Sequence, residues 1–317
     1  TAAAVLGCLN TADATALRRL HPAVVAHVAA VPWADTTTGV RNTIGWRAAL
    51  PAAVACKLSQ YGVRFEPAAL RGVTVLDLNR GCSVNDAVIA ALPPTLRRLN
   101  ASVCKRLTSA VSFTHLPALE WLDCTATNTI LDGVPVSLRE LSILPYRAAD
   151  FSHLCSLRVL HCCGLSDPKS IASLQPSLEE LDVTIAEYNW SRDWSAAHLT
   201  RLRLLRANHC GIHAAALATL PPSLLVLDLV ACKELTEGTS FVHLTRLHTL
   251  NLTRTIVHNG VLATLPPSLV SLNLEGDFNT GTGRCGGLTH AAVFPHLPAL
   301  RVLNVNYTGV GDAAVTS

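Results

Sequence analysis

The sequence predicts a solenoid: about eleven short coils, each adding one strand to a parallel sheet, behind a small helical segment. Three observations carry this reading. LxxLxL starts at Leu224, Leu247 and Leu269, at intervals of 23 and 22 residues. A fixed period in this range marks a repeat array and takes precedence over other fold readings. In-register copies start at Val73, Leu96, Leu119, Leu138, Leu157, Leu178, Leu202 and Leu300 as well. Finally, the lead-ins alternate. LPPTL, VPVSL, LQPSL and two copies of LPPSL take turns with FTHLPAL, FSHLCSL, AHLTRL, FVHLTRL and FPHLPAL, giving five double units.

Residues 1–66 carry no such copy and read as a small helical N-terminal cap; residues 67–317 read as the repeats. Thr11 or Asp13 would cap a helix carrying Leu17, Leu20, Val24 and Val25, and a second helical stretch around Val40 to Cys56 would break at Pro51. A cap has a direct physical purpose, because the first coil would otherwise expose its apolar core. Within each repeat, alternate residues of a short strand point to opposite faces, so the leucines enter the core and the residues between them face out. Pieces such as NDAVIAAL and GIHAAALATL would carry the chain back, and Pro at their ends blocks further helix.

Over about four-fifths of the chain this pattern resembles the leucine-rich-repeat family. The resemblance implies an α/β horseshoe with a parallel concave sheet whose outer residues bind partners. Three residues beyond the last strand leucine, where many members of the family have Asn, stand Cys104, Thr127, Cys210, Cys232, Thr255 and Thr308. Each can donate to a carbonyl of the neighbouring repeat. These positions resemble the cysteine-containing repeats of F-box proteins, whereas LPPSL looks more like protist and bacterial types. The stretch VLGCLNTADATALRRLHPAVVAHVAAVPW, closed by Trp33, resembles an F-box without its opening Leu-Pro. That resemblance implies an alternative function: substrate recognition in a cullin–RING ubiquitin ligase, with residues 1–66 docking on the adaptor.

Bulk properties narrow the classes further. Half the residues are apolar and 15% are charged, a composition that points to surface meant for a partner. With a net charge of +3 and no basic run, direct nucleic-acid binding is not expected. No run of about eighteen apolar residues predicts a membrane span. Eleven cysteines without paired metal spacing read as free thiols in a reducing, intracellular compartment, cytoplasmic or nuclear. The sequons at Asn100, Asn189, Asn251 and Asn306 read as chance matches, since three fall in expected strands. The absence of Met reads as a truncated start, and the mid-repeat end at TGVGDAAVTS leaves the last repeat to be closed either by further native residues or by a partner.

The outward columns name the candidate site. Late repeats present Asn, Thr and Ser. Earlier ones present Arg98, Trp121, Asp123, Glu140, His161, Glu180, Asp182, Leu204 and Arg206. An aromatic anchor among acids and arginines has the composition of an interface centre, here expected to hold a protein partner with a basic or amphipathic segment. The bland reading is a set of mutually balancing surface charges. Tyr188, Trp190 and Trp194 sit in an off-pattern stretch that either forms a contact tip or, the favoured reading, folds down over the core.

Catalytic residues are not expected. Cys163, His161 and Asp182 would come within reach of one another, but an open sheet offers no oxyanion hole and no exclusion of water. No metal is expected either. Strand alternation separates Cys162 from His161 and Cys163, and His115, His153, His198, His243 and His296 lie two repeats apart and should bond backbone at their turns. GTGRCGG lacks the Lys-Ser/Thr ending of a phosphate loop, so no cofactor is expected. The leading reading is a non-enzymatic protein-interaction scaffold, a subunit of a larger complex.

Overall fold

The computed structural model describes residues 9–20, 22–61, 63–81, 83–127, 133–144, 149–165, 167–184, 194–232, 235, 238–276 and 288–311. The chain divides into two compact units, Thr1–Leu144 and Pro145–Ser317. Both are built as a leucine-rich-repeat solenoid.

The first unit opens with helices α1 (Thr11–Leu20) and α2 (Pro22–Ala30). Asn10, not Thr11 or Asp13, caps α1: its Oδ1 accepts from Asp13 N at 2.9 Å. Thr11 is engaged elsewhere, donating through N and Oγ1 to Asp35 at 2.8 and 2.7 Å. Pro22 starts a new helix, because a proline lacks the N–H that a continuing helix needs. The buried apolar positions here are Ala14 and Val28, while Leu17, Val24 and Val25 are only partly covered. Trp33 joins the cap to the sheet. Its buried indole donates to Val28 O at 2.8 Å, and its own carbonyl accepts from Val54 N and Ala55 N.

Six parallel strands follow in this unit: β1 (Gly39–Val40), β2 (Ala55–Leu58), β3 (Val75–Asp77), β4 (Arg98–Asn100), β5 (Trp121–Asp123) and β6 (Glu140–Ile143), each paired with the next. The sheet therefore begins inside the segment read as a helical cap. The stretch read as helical from Val40 to Cys56 holds only one helix, α3 (Thr43–Ala49), between two strands. In register, Cys56 stands beside Leu76 and Ala55 beside Val75. The motif is present as AxxCxL, where small side chains replace the leucines and hide the repeat.

The second unit has seven parallel strands: β7 (Val159–Cys162), β8 (Glu180–Asp182), β9 (Leu204–Arg206), β10 (Val226–Asp228), β11 (Thr249–Asn251), β12 (Ser271–Asn273) and β13 (Val302–Asn304). The central leucines stack in register: Leu76, Leu99, Leu122 and Leu141 in the first unit, and Leu160, Leu181, Leu205, Leu227, Leu250 and Leu272 in the second, all buried. Residues on either side of each of these leucines stay partly or fully exposed, so the outward columns are placed as the periodicity requires.

The alternation of lead-ins has a structural cause. Short helices α4 (Asp86–Ala90), α5 (Pro168–Ala172), α6 (Ala214–Ala218) and α7 (Asn259–Leu262) precede the LPPTL, LQPSL and two LPPSL segments. The Phe–His–Leu lead-ins instead bury Phe113, Phe151 and Phe241 almost completely. The hydroxyl of each Pro-Ser/Thr-Leu segment then clamps the preceding coil. Thr95, Ser137, Ser177, Ser223 and Ser268 donate to the carbonyls of Val73, Leu119, Leu157, Leu202 and Leu247 at 2.7–3.1 Å.

A second ladder runs inside. Cys104, Cys210, Cys232 and Thr255 donate to Leu78 O, Val183 O, Ala207 O and Leu229 O of the preceding coil at 3.2, 3.4, 3.1 and 2.6 Å. The expected inter-repeat bond is thus made at these four positions. Thr127 and Thr308 donate to their own coil, at Cys124 O and Val305 O. The residue just before each ladder position is left-handed: Val103, Ala126, His209, Ala231, Arg254 and Tyr307 have φ of 56–57°, and Gly164 fills the place at 82°.

Candidate interaction surface

The outward columns meet the strand exits, and many of their polar residues are already engaged. Asp77, Asn100, Asp123, Asp182, Asn251, Asn273 and Asn304 each accept, through Oδ1, the backbone N–H two residues on, at 2.9–3.1 Å. These are Asx turns, which end the strand and start the bend. Ser102, Thr125 and Thr253 add a hydroxyl to the same oxygen at 2.6–2.7 Å. At the sequons of Asn100 and Asn251, the Asn oxygen and the Ser/Thr hydroxyl are bonded to each other within this turn. Asp123 and Asp182, read as partner contacts, have a structural task first.

In the first unit, register places Arg98 beside Trp121 and Trp121 beside Glu140. The Arg98 guanidinium lies over the Trp121 ring, 4.8 Å from its centroid. A cation over an indole face is attracted by the ring quadrupole, by about 0.5–1 kcal/mol at an exposed site. Beside the stack is a groove of about 300 Å³ lined by Thr74, Val75, Arg97, Arg98, Glu120, Trp121, Arg139 and Glu140. The set around Trp121 is mixed, three arginines and two glutamates, with Arg97, Glu120 and Arg139 joining Arg98 and Glu140 of the outward column. The reason lies in LRRL, LEWL and LREL, whose first variable residue also reaches this face. Arg97 and Glu120 pair at 3.5 Å with exposed side chains, an arrangement worth little by itself.

In the second unit, His161 stands beside Asp182, which stands beside Arg206; Glu180 stands beside Leu204. His161 Nδ1 lies 3.8 Å from Asp182 Oδ2. Burial alone would raise the Asp182 carboxyl, but the His161 ring close by and the hydrogen bonding of Thr184 outweigh it and bring it down to about 2. Arg158 and Glu179 pair at 2.5 Å at the margin.

The half-buried Cys163 thiol is pushed up, first by burial and then by the Asp182 charge. A raised thiol is a poor nucleophile, so the trio Cys163, His161 and Asp182 lacks an activated sulfur. Among the described residues no three His, Cys, Asp or Glu side chains are placed to share a metal ion. Of the turn histidines, His198 Nε2 meets Leu174 O at 3.1 Å, as expected. His115, His153 and His243 instead bury Nε2 without a hydrogen-bond partner among the described residues.

Trp194 is 1% exposed and belongs to the core, in line with the favoured reading and against a contact tip at this residue. Tyr188 and Trp190 lie outside the described residues. Eight cysteines are described and all are free; Cys56, Cys104, Cys124, Cys162, Cys210 and Cys232 are buried. No helix among the described residues is long and apolar enough to cross a membrane.

The coil geometry defines the class, a leucine-rich-repeat solenoid, and solved structures agree. The chain is similar to an internalin from Listeria monocytogenes, at 15% identity and a TM-score of 0.57, covering 82% of this chain and 76% of that one. It is also similar to Toll in the Drosophila Toll–Spätzle complex, at 14% identity and a TM-score of 0.53, covering 83% and 44%. A third similar chain belongs to a complex of TLR13 with the single-stranded RNA ssRNA13, at 18% identity and a TM-score of 0.50, covering 85% and 42%. The chain spans less than half the length of the last two. No family model and no curated protein sequence matches it, so the F-box resemblance gains no support.

Proposed function

We propose that this chain is a non-enzymatic protein-interaction scaffold whose partner is anchored at the Arg98–Trp121 stack of the first unit. One observation carries the reading: a large aromatic with a cation over its face, beside a groove, in a column whose neighbours are mostly stapled into turns. Trp and Arg are the residue types that dominate binding energy at interfaces. The groove's mixed charges fit a partner segment that carries both signs around an apolar or aromatic residue. Similar folds serve such contacts, Toll with Spätzle among them.

The inner ladder supports a reducing compartment as the setting, since Cys104, Cys210 and Cys232 use their thiol hydrogens. The rival function, substrate selection for a cullin–RING ligase, requires residues 1–66 to recover a ligase adaptor. Co-purification from the source organism, with the unaltered chain and with Arg98→Ala/Trp121→Ala, tests the proposal. A protein recovered by the first and lost with the second supports it. Equal recovery by both overturns it, and recovery of an adaptor that depends on the cap but not on Trp121 favours the ligase.

A further inference from the structure

A second groove lies away from the outward columns that carry Arg98 and Trp121. It holds about 420 Å³ and lies in the first unit between one face of α1 and the β1–α3 segment. Its floor is apolar and made of small side chains: Ala12 and Ala16 from α1, Ala49 from α3, and the edge of Trp46. Two cations, Arg19 and Arg41, stand on its rim, and no carboxylate lines it.

Neither arginine makes an ion pair among the described residues. Asp35, bonded to the groove residue Thr11, stays ionised but makes no ion pair with either arginine. Asp35 accepts four hydrogen bonds, two from Thr11 and two from Thr37, at 2.6–2.8 Å. The imbalance extends beyond the groove. The first 80 residues hold eight Lys/Arg against four Asp/Glu, whereas the rest of the chain holds 17 against 18. All of the net positive charge therefore belongs to the cap and its first coils.

We propose that this groove is a docking site for an acidic, amphipathic segment of a protein partner, with carboxylates meeting Arg19 and Arg41 and small apolar side chains lying on the Ala12–Ala16–Ala49 floor. The site is separate from the Arg98–Trp121 surface and does not depend on it. Charge complementarity selects an anionic occupant. The floor selects a protein over a nucleic acid. Trp46 is buried and its ring is already covered by Arg47 at 4.7 Å from the centroid, so it gives a base nothing to stack on. Two arginines are also too few to follow a phosphate backbone. Ile44, 60% exposed beside the groove, extends the apolar contact at its edge.

Fluorescence anisotropy on the full chain tests this with three labelled probes: a Glu/Ala/Leu helical peptide, its Lys/Ala/Leu counterpart, and a short single-stranded oligothymidylate. The acidic peptide is expected to bind at low salt and to be released by added salt, with no binding of the lysine peptide. Arg19→Glu/Arg41→Glu should weaken it about tenfold or more, while Arg246→Ala, at an exposed arginine of the second unit, leaves it unchanged. Both arginines are exposed, so the double variant should keep its circular dichroism and melting temperature. A second variant, Ala16→Leu, fills the floor without changing charge and should also weaken the acidic peptide. Absence of acidic-peptide binding overturns the proposal. So does binding that survives both variants, or preference for the oligonucleotide through the same two arginines.

Discussion

The two units use one scaffold to present different surfaces. In both, the central leucine of each strand is buried and the residues beside it face out. In the first unit, the column before the leucine puts Arg98 on the face of Trp121, and neither makes an ion pair among the described residues. In the second, the column after the leucine brings His161 Nδ1 to 3.8 Å from Asp182 Oδ2. Position in the repeat therefore decides exposure, but not availability. The proposal therefore places the binding determinants where a side chain stands clear of ion pairs and turns, as at Arg98 and Trp121.

The comparison can be broken first at the core, where the units should behave alike. Leu122→Ala and Leu205→Ala, both buried, should each cost about 2–5 kcal/mol. Denaturant titration checks this, and a near-neutral result in one unit would mean that its stack is not closed. The inner ladder comes next. Thr255→Val leaves Leu229 O without its 2.6 Å donor and should cost about 1–3 kcal/mol. Cys104→Ala should cost less, about 1 kcal/mol, because a thiol is the weaker donor.

Acid titration sharpens the difference between the surfaces. Because the folded Asp182 carboxyl lies at about 2, below its unfolded value, its stabilisation is present above about pH 4 and is lost as pH falls through about 2. Asp182→Asn should remove roughly 1–2 kcal/mol at neutral pH and flatten the stability profile between those limits. An unchanged profile would mean that the His161 contact does not hold the charge. The smallest effect is at the left-handed turn. Val103 adopts φ 57° where the second unit has Gly164, so Val103→Gly should gain about 0.5–1 kcal/mol, read as a higher melting temperature.

Much of this was legible in the sequence, and the failures share one form. Leucine spacing placed the strands from β3 to β13 and the two outward columns, because burial enforces a period that substitutions cannot hide. The Cys/Thr ladder was legible too, since its chemistry needs a donor at a fixed step. The strand at Ala55–Leu58 was hidden because AxxCxL keeps the geometry with small side chains. The engagement of Asp123 and Asp182 was missed because their partner is the backbone two residues on, although D-x-T was there to read. Arg97 and Arg139 beside Trp121 were not legible from the two outward columns, because LRRL, LEWL and LREL present a third.

The most direct test of the central claim is an affinity measurement, by calorimetry, with the protein co-purified from the native source. The account predicts that Trp121→Ala weakens binding by about 2 kcal/mol or more, roughly thirtyfold, while His161→Ala in the second unit changes it less than about threefold. Undiminished binding by Trp121→Ala, or a larger loss from His161→Ala, would contradict it.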